Sequence, residues 1–266
     1  MFDQFGREIT YLRISVTDRC NFRCTYCMPE EGVDFIPHER ILSYESIADI
    51  ARAGARLGIR KIRLTGGEPT VRKGLSDLVA MLAEIPGIEH LAMTTNGALL
   101  PRLAGPLRRA GLDSVNISLD TLDPQEFRGI TRRGRIEDTL AGIDEAVAVG
   151  FSPIKINMVV APETTEEEIE RMRAFTESKG ATLQLIAHYR LDVAKHDGYR
   201  FDRPPNCAKC NRLRLTSEGS LKPCLHSNIE VPVDLENPEA SIREAVRLKP
   251  ASGTGCTNRS MMSIGG

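Results

Sequence analysis

Three thiols stand in the stretch DRCNFRCTYCMPE, residues 18–30: Cys20, Cys24 and Cys27. With seven Cys in 266 residues, chance gives a C-x3-C-x2-C triple about 0.005 times per chain, so the spacing is a signal. A structural zinc site recruits a fourth ligand to close its tetrahedron. A 4Fe-4S cluster asks one thiolate of each iron, so three cysteines leave one iron without a protein ligand. That open iron can take a substrate or cosubstrate, which makes it the candidate reactive position.

A second group, Cys207, Cys210 and Cys224, has C-x2-C-x13-C spacing. Taken alone it also fits a zinc knuckle closed by His226 or Cys256. Arg212 and Arg214 alternate along a predicted strand beside it, so both project from one face. Two guanidiniums next to a metal centre suit bidentate phosphate binding. Cys256 reads either as a lone buried thiol or as a fourth ligand to this group.

Further candidates follow predicted strands. TGGEP, residues 65–69, supplies Gly66 and Gly67 for close backbone approach and Glu68 as an acceptor for an ammonium group. TTNG at 94–97 and NISLD at 116–120 bring Thr95, Asn96 and Ser118. Their hydroxyls and amides suit ribose and carboxylate contacts, or ordinary turn chemistry.

The elements that must position these groups alternate. Residues 10–16 read as a strand entering the first cysteine loop. A helix follows from Ser43, with Ile47, Ile50, Ala51 and Leu57 at helical spacing. Then come a strand at RKIRLT, a helix near 75–85, a strand near 89–94, a helix near 98–110 and a strand near 114–119. Residues 136–149 predict a helix with Ile136, Leu140, Ile143 and Val147 on one face. PIKINMVV is the next strand. The helix after it opens on Thr164 and Glu167 in capping-box spacing and closes at Gly180. ATLQLIAHY ends the series.

Strands alternating with helices imply a parallel sheet with helical crossovers. The fold class is α/β, a partial (β/α)6 TIM-type barrel over residues 1–190. A small metal-stabilised C-terminal region, 191–266, opens with a polar linker near 190. In such barrels the chemistry sits at the carboxyl ends of the strands, where the first cysteine loop would lie.

Net charge is -1, so no global field draws nucleic acid or a membrane surface. The N-terminus lacks the apolar run of a signal peptide, and no stretch is long enough to span a bilayer. These readings predict a cytoplasmic protein with no nucleic-acid or membrane partner. Seven Cys in a reducing compartment argue for metal ligation over disulfides.

C-x3-C-x2-C with Tyr26 before the last Cys resembles the radical S-adenosylmethionine (SAM) superfamily. Added to it, FGREITYLRISVTDRCNFRCTYCMP, KIRLTGGEPTVRK, SVNISLDTL, KINMVV, CAKCNRLRLT and a terminal GG resemble the GTP 3′,8-cyclase family of molybdenum-cofactor biosynthesis over nearly the whole chain. The resemblance implies two 4Fe-4S clusters, one on Cys20, Cys24 and Cys27 that binds SAM, the other on Cys207, Cys210 and Cys224 that binds GTP. It implies a 5′-deoxyadenosyl radical that takes the 3′ hydrogen of the ribose, and a carbon radical that closes on C8 of guanine.

It further places Arg13, Lys61, Arg63, Lys155, Arg212 and Arg214 around the triphosphate, at strand ends, and brings Gly265 and Gly266 into the active site. A low-potential electron donor, cyclic pyranopterin monophosphate synthase downstream and a homodimer are the implied partners. Arg132, Arg133 and Arg135 form a further basic cluster, facing the site or solvent. The sequence departs from the family in being shorter before Cys207. Gln184, Ala187 and Tyr189 stand where Arg, Glu and Met are frequent.

Overall fold

A computed structural model describes residues 1–196, 200–201 and 206–264 of the chain. Among the described residues, nine strands form one sheet in the order β6-β5-β4-β3-β2-β1-β7-β8-β9. In chain order the barrel units are β1 (Tyr11–Ser15), α1 (Tyr44–Arg56), β2 (Lys61–Thr65), α2 (Leu75–Ala83), β3 (His90–Thr95), α3 (Leu100–Arg109), β4 (Ser114–Ser118), α4 (Pro124–Thr131), α5 (Ile136–Ala148), β5 (Ile154–Val160), α6 (Glu166–Ser178) and β6 (Thr182–Ala187). β1 to β6 run parallel, the partial barrel expected from the alternation.

The chain then adds β7 (Arg212–Leu215), β8 (Ser220–Lys222), β9 (Val231–Pro232), α7 (Pro238–Arg247) and α8 (Met261–Ile264). β7 lies parallel to β1, while β8 and β9 return antiparallel. The C-terminal region therefore continues the barrel's own sheet, and α7 packs on α1.

The two faces of the sheet differ. Leu12, Ile14, Ile62, Leu64, Leu213 and Leu215 bury on one face in a core shared with α1, α2, α3, α5 and α6. Period-two alternation puts Tyr11, Arg13, Lys61, Arg63, Arg212 and Arg214 on the other. A closed barrel fills its interior with branched apolar side chains; this one fills it with charge.

Three local details differ from the expectation. The capping box is Thr165 with Glu168, because the Thr164 hydroxyl instead accepts the Ala161 N–H at 3.0 Å. Val147 is 42% exposed, and α5 buries Ile136, Thr139, Gly142, Ile143 and Ala146. A Cβ at Gly142 would collide with the Gly97 carbonyl, so that close approach sets the rotation of the helix. α4 was not foreseen. Asp123 caps it by accepting from Gln125 and Glu126, and Pro124 opens its first turn.

Candidate functional site

The first cysteine loop leaves the carboxyl end of β1. α4 holds it: Arg23 N–H donates to Thr131 O at 3.0 Å and Thr25 N–H to Ile130 O at 3.0 Å. Phe22 sets its ring edge-on to Phe127, centroids 6.0 Å apart. Arg132 joins the brace, its Nη1 donating to Arg23 O and Met28 O at 3.1 and 2.9 Å. Arg132 thus serves the loop, whereas Arg135 points a 68% exposed side chain to solvent.

Cys20, Cys24 and Cys27 line a cleft with about 1160 Å³ of empty space, together with Tyr26, Gly66, Gly67, Glu68, Thr95, Asn96 and Ser118. Every residue assigned to this group by sequence therefore reaches one cleft. Gln184, by contrast, bonds to Asn157, while Ala187 and Tyr189 line the cleft with Met261 and Met262 of α8. The tail thus reaches the site through α8; Gly265 and Gly266 lie outside the described residues.

Gly66 and Gly67 are needed for the chain's own backbone. A Cβ on either would strike the Thr17 or Arg19 carbonyl, and their turn is stitched there by Gly67 N–H to Thr17 O and Glu68 N–H to Arg19 O, both 2.8 Å. Glu68 is buried. Its Oε1 accepts from Thr70 and Thr95, and its Oε2 from Asn96 N–H at 2.7 Å. Burial raises its pKa.

Asp120, absent from the sequence-derived site, bridges the wall. Tyr26 donates its hydroxyl to Oδ2 at 2.7 Å, and Val159 N–H donates to Oδ1 at 2.8 Å. Burial pushes the Cys20 and Cys24 thiols up to about 11 and about 12, and Cys27 higher still. Glu68 adds to this at Cys20, and Asp120 at Cys24 and Cys27.

The cationic face forms two rungs. Tyr11 pairs in register with Lys61 and Arg212, and Arg13 with Arg63 and Arg214. The cations lie along the strands' inward face, with Lys61 and Arg212 at the amino ends of β2 and β7 and Arg13, Arg63 and Arg214 one rung further in. Arg63 donates through Nε to Tyr11 OH at 2.7 Å and through Nη1 to Asn116 Oδ1 at 2.8 Å. Asn116 and Gln184 both donate to Asn157 Oδ1 at 3.0 Å, carrying a polar chain from β2 to β6. Lys155 sits opposite Asn116.

Lys61 Nζ and Arg212 Cζ lie 5.4 and 5.7 Å from the Tyr11 ring centroid. Burial opposes ionisation of the Tyr11 phenol, yet Arg63, Arg13 and Arg212 bring it down to about 7. Tyr11 carried no sequence signal beyond its place two residues before Arg13.

The second group lies at the other end of the same strands. β7 starts two residues after Cys210 and runs parallel to β1, and β8 returns toward Cys224. Cys207, Cys210 and Cys224 line a smaller, solvent-open pocket with Lys195, Arg212, Arg214 and His226. Arg7 supports the first cysteine of the group by donating to Cys207 O at 2.9 Å, to Ala251 O at 3.0 Å and to Pro250 O at 2.7 Å. Lys249, 1% exposed, donates to Arg212 O at 2.7 Å and Pro223 O at 2.6 Å. Neither cation was singled out by sequence, since a lone Arg or Lys carries no pattern.

Cys256 is buried, and its thiol lies 3.3 Å from Asn258 Oδ1. It does not line the second pocket. Among the described residues, no three His, Cys, Asp or Glu side chains converge on a position for one metal ion.

The sequence pattern of the Radical SAM superfamily matches residues 14–176. The GTP 3′,8-cyclase of Petrotoga mobilis is 39% identical over 323 residues, covering 100% of both chains. That alignment is 57 positions longer than this chain of 266, so the relative carries residues without a counterpart here. The GTP 3′,8-cyclase of Peptoclostridium acidaminophilum is 42% identical over 282 residues, covering 90% of this chain and 86% of its own.

Two solved structures share the fold. anSMEcpe with bound AdoMet has a TM-score of 0.66 at 15% identity, over 89% of this chain and 77% of that one. Streptococcus suis SuiB bound to S-adenosylmethionine has a TM-score of 0.64 at 17% identity. This chain spans 82% of itself and 60% of SuiB in that match. With two cysteine groups at the ends of one cationic sheet face and end-to-end relatives at this identity, the chain belongs to the radical SAM superfamily and, within it, to the GTP 3′,8-cyclase family.

Proposed function

We propose that this enzyme converts GTP to 3′,8-cyclo-7,8-dihydro-GTP in molybdenum-cofactor biosynthesis. The observation that carries the reading is the two-rung cationic face between two cysteine groups. β1 has five residues, so at 3.3 Å each its ends are roughly 13–16 Å apart, a span suited to a nucleotide. Residues 1–190 form the SAM half and 191–266 the substrate half.

The donor sets fit two 4Fe-4S clusters. Each group offers three thiolates, where a structural zinc site asks for four ligands. A cluster gives each thiolate a separate iron. When bound, the cluster on Cys20, Cys24 and Cys27 supplies the low-potential electron that reductively cleaves SAM. The remaining work belongs to side chains. Glu68 has Oε1 filled by Thr70 and Thr95, and Oε2 keeps a lone pair for the SAM ammonium. Tyr26, Gly66, Gly67, Thr95, Asn96 and Ser118 form the rest of that cleft wall.

Arg13, Lys61, Arg63, Lys155, Arg212 and Arg214 hold the triphosphate, with Arg212 and Arg214 also bordering the guanine end near Cys207, Cys210 and Cys224. Gly265 and Gly266, the terminal pair that the family resemblance brings into the active site, are assigned to the reacting ribose. Met261, Met262, Val159 and Ile186 exclude water from the cleft, which protects a carbon radical. The product passes to cyclic pyranopterin monophosphate synthase, a low-potential donor supplies electrons, and a homodimer is compatible. No helix among the described residues is long and apolar enough to cross a membrane, in keeping with a cytoplasmic enzyme.

The test is anaerobic turnover of the reconstituted protein with reductant and SAM, with and without GTP, followed by mass spectrometry. GTP-dependent 5′-deoxyadenosine together with a cyclised isomer of GTP is the expected result. SAM cleavage indifferent to GTP would overturn the substrate.

A further inference from the structure

Lys249 stands outside every motif that points to the chemistry, yet it is among the most buried side chains of the molecule, at 1% exposure. Burying an ammonium is costly unless its donors are satisfied. Two of its three N–H groups go to Arg212 O at 2.7 Å and Pro223 O at 2.6 Å. These carbonyls are not arbitrary. Arg212 opens β7 two residues after Cys210, and Pro223 immediately precedes Cys224. Burial lowers its pKa, and the Cys210 and Cys224 sulfurs act in the opposite sense, favouring the charged ammonium. No carboxylate pairs with it in the described residues; the carboxylate nearby in sequence, Glu244, is bound to Arg247.

We propose that Lys249 is a positioning residue for the second cluster, clamping the two backbone segments that carry Cys210 and Cys224 and adding a fixed positive charge beside it. This inference rests on the second cysteine group holding a cluster, as read above. The clamp follows from the two carbonyl bonds. The charge effect follows from Coulomb's law at low dielectric: reduction adds negative charge to a cluster, and a buried cation next to it stabilises that form. The first cysteine loop has a backbone clamp of its own, Arg132 on the Arg23 and Met28 carbonyls, but the charged side chains that act on its thiols are the carboxylates Glu68 and Asp120. Lys249 therefore separates the two clusters electrostatically, making the second one the easier to reduce.

The experiment compares the reconstituted wild-type protein, Lys249→Met and Lys249→Arg. Iron and sulfide are counted, and each cluster is titrated electrochemically with electron paramagnetic resonance detection. About eight iron per wild-type chain is the precondition; about four would sink the two-cluster reading itself and is distinguished on that count. Lys249→Met is expected to move the second cluster's potential to more negative values, or to drop its iron. The first cluster's signal and its SAM cleavage without GTP stay unchanged. Lys249→Arg, which keeps the charge and donors, is expected to restore occupancy and most of the shift. A Lys249→Met protein with both clusters and unchanged potentials overturns the proposal. So does equal loss in Met and Arg variants, because charge would then be irrelevant.

Discussion

The two cysteine groups are chemically alike and electrostatically opposite. Around Cys20, Cys24 and Cys27 the cleft wall carries the carboxyl groups of Glu68 and Asp120, the phenols of Tyr26 and Tyr189 and the His188 imidazole, with no Lys or Arg, and burial raises all three thiols. Around Cys207, Cys210 and Cys224 stand Arg212, Arg214 and Lys195, with Lys249 behind them. Burial would raise the Cys210 thiol, but Lys249 and then Arg212 and Arg214 bring it below its ordinary value. One sheet thus carries an acidic cleft at its carboxyl end and a basic pocket at its amino end. Under the proposed function, this difference would let one three-thiol donor set serve two ligands, the acidic wall meeting the ammonium of SAM and the basic side meeting the anionic nucleotide.

The largest expected effect tests whether the two ends are separable. Cys24→Ala should abolish 5′-deoxyadenosine formation, whereas Cys210→Ala should keep GTP-independent SAM cleavage and lose cyclised product. Chromatography of both reactions checks this, and loss of SAM cleavage in both variants would break the comparison. Next comes the phosphate face. A hydrogen bond to a charged group contributes roughly 1.5–3 kcal/mol, so Arg212→Ala with Arg214→Ala should weaken GTP binding by about 10²–10⁴-fold. Calorimetry reads this, and unchanged affinity would remove the basic face from the substrate site.

Asp120→Asn sharpens the acidic side. It weakens the bridge between Tyr26 and Val159, and a buried unsatisfied group costs about 1–3 kcal/mol. The melting temperature should fall by several degrees, roughly 2–4 °C per kcal/mol at this size. An unchanged melting temperature would show that the bridge does not tie loop to strand.

The smallest effect is a pH dependence. The folded pKa of Tyr11 lies below its ordinary value of 10.0, at about 7. The phenolate therefore forms as pH rises through about 7. Its stabilising attraction to Arg63, Arg13 and Arg212 grows from there toward the unfolded pKa and is lost as pH falls back. A phenolate within the cationic face competes with triphosphate, so GTP affinity should weaken by at most about tenfold per pH unit above 7. Tyr11→Phe should flatten that profile relative to wild type, and parallel profiles would assign the titration elsewhere.

Much of the frame was legible. Six strands and five of the helices between them stand where hydrophobic periodicity places them, because each is a local pattern buried on one face. The capping box slipped by one residue because Thr164–Glu167 and Thr165–Glu168 have the same spacing, and only the Ala161 N–H decides between them. α4 was missed although Asp123, Pro124 and Glu126 form a good start signal. Its short apolar content, chiefly Phe127 and Ile130, gave little periodicity. That omission hid the brace of the cysteine loop, since Thr131, Ile130 and Phe127 all belong to α4.

The sequence by itself determined the two thiol triads, their spacings and the strand that leads into the first, because those depend on neighbours along the chain. It also determined that Arg212 and Arg214 share a face. Only the tertiary structure decided that Arg13 and Arg63 join Arg214 in one rung, from positions up to 201 residues apart. Strand order, register and the burial of Lys249 are fixed by long-range pairing, and long-range pairing leaves no local spacing to read.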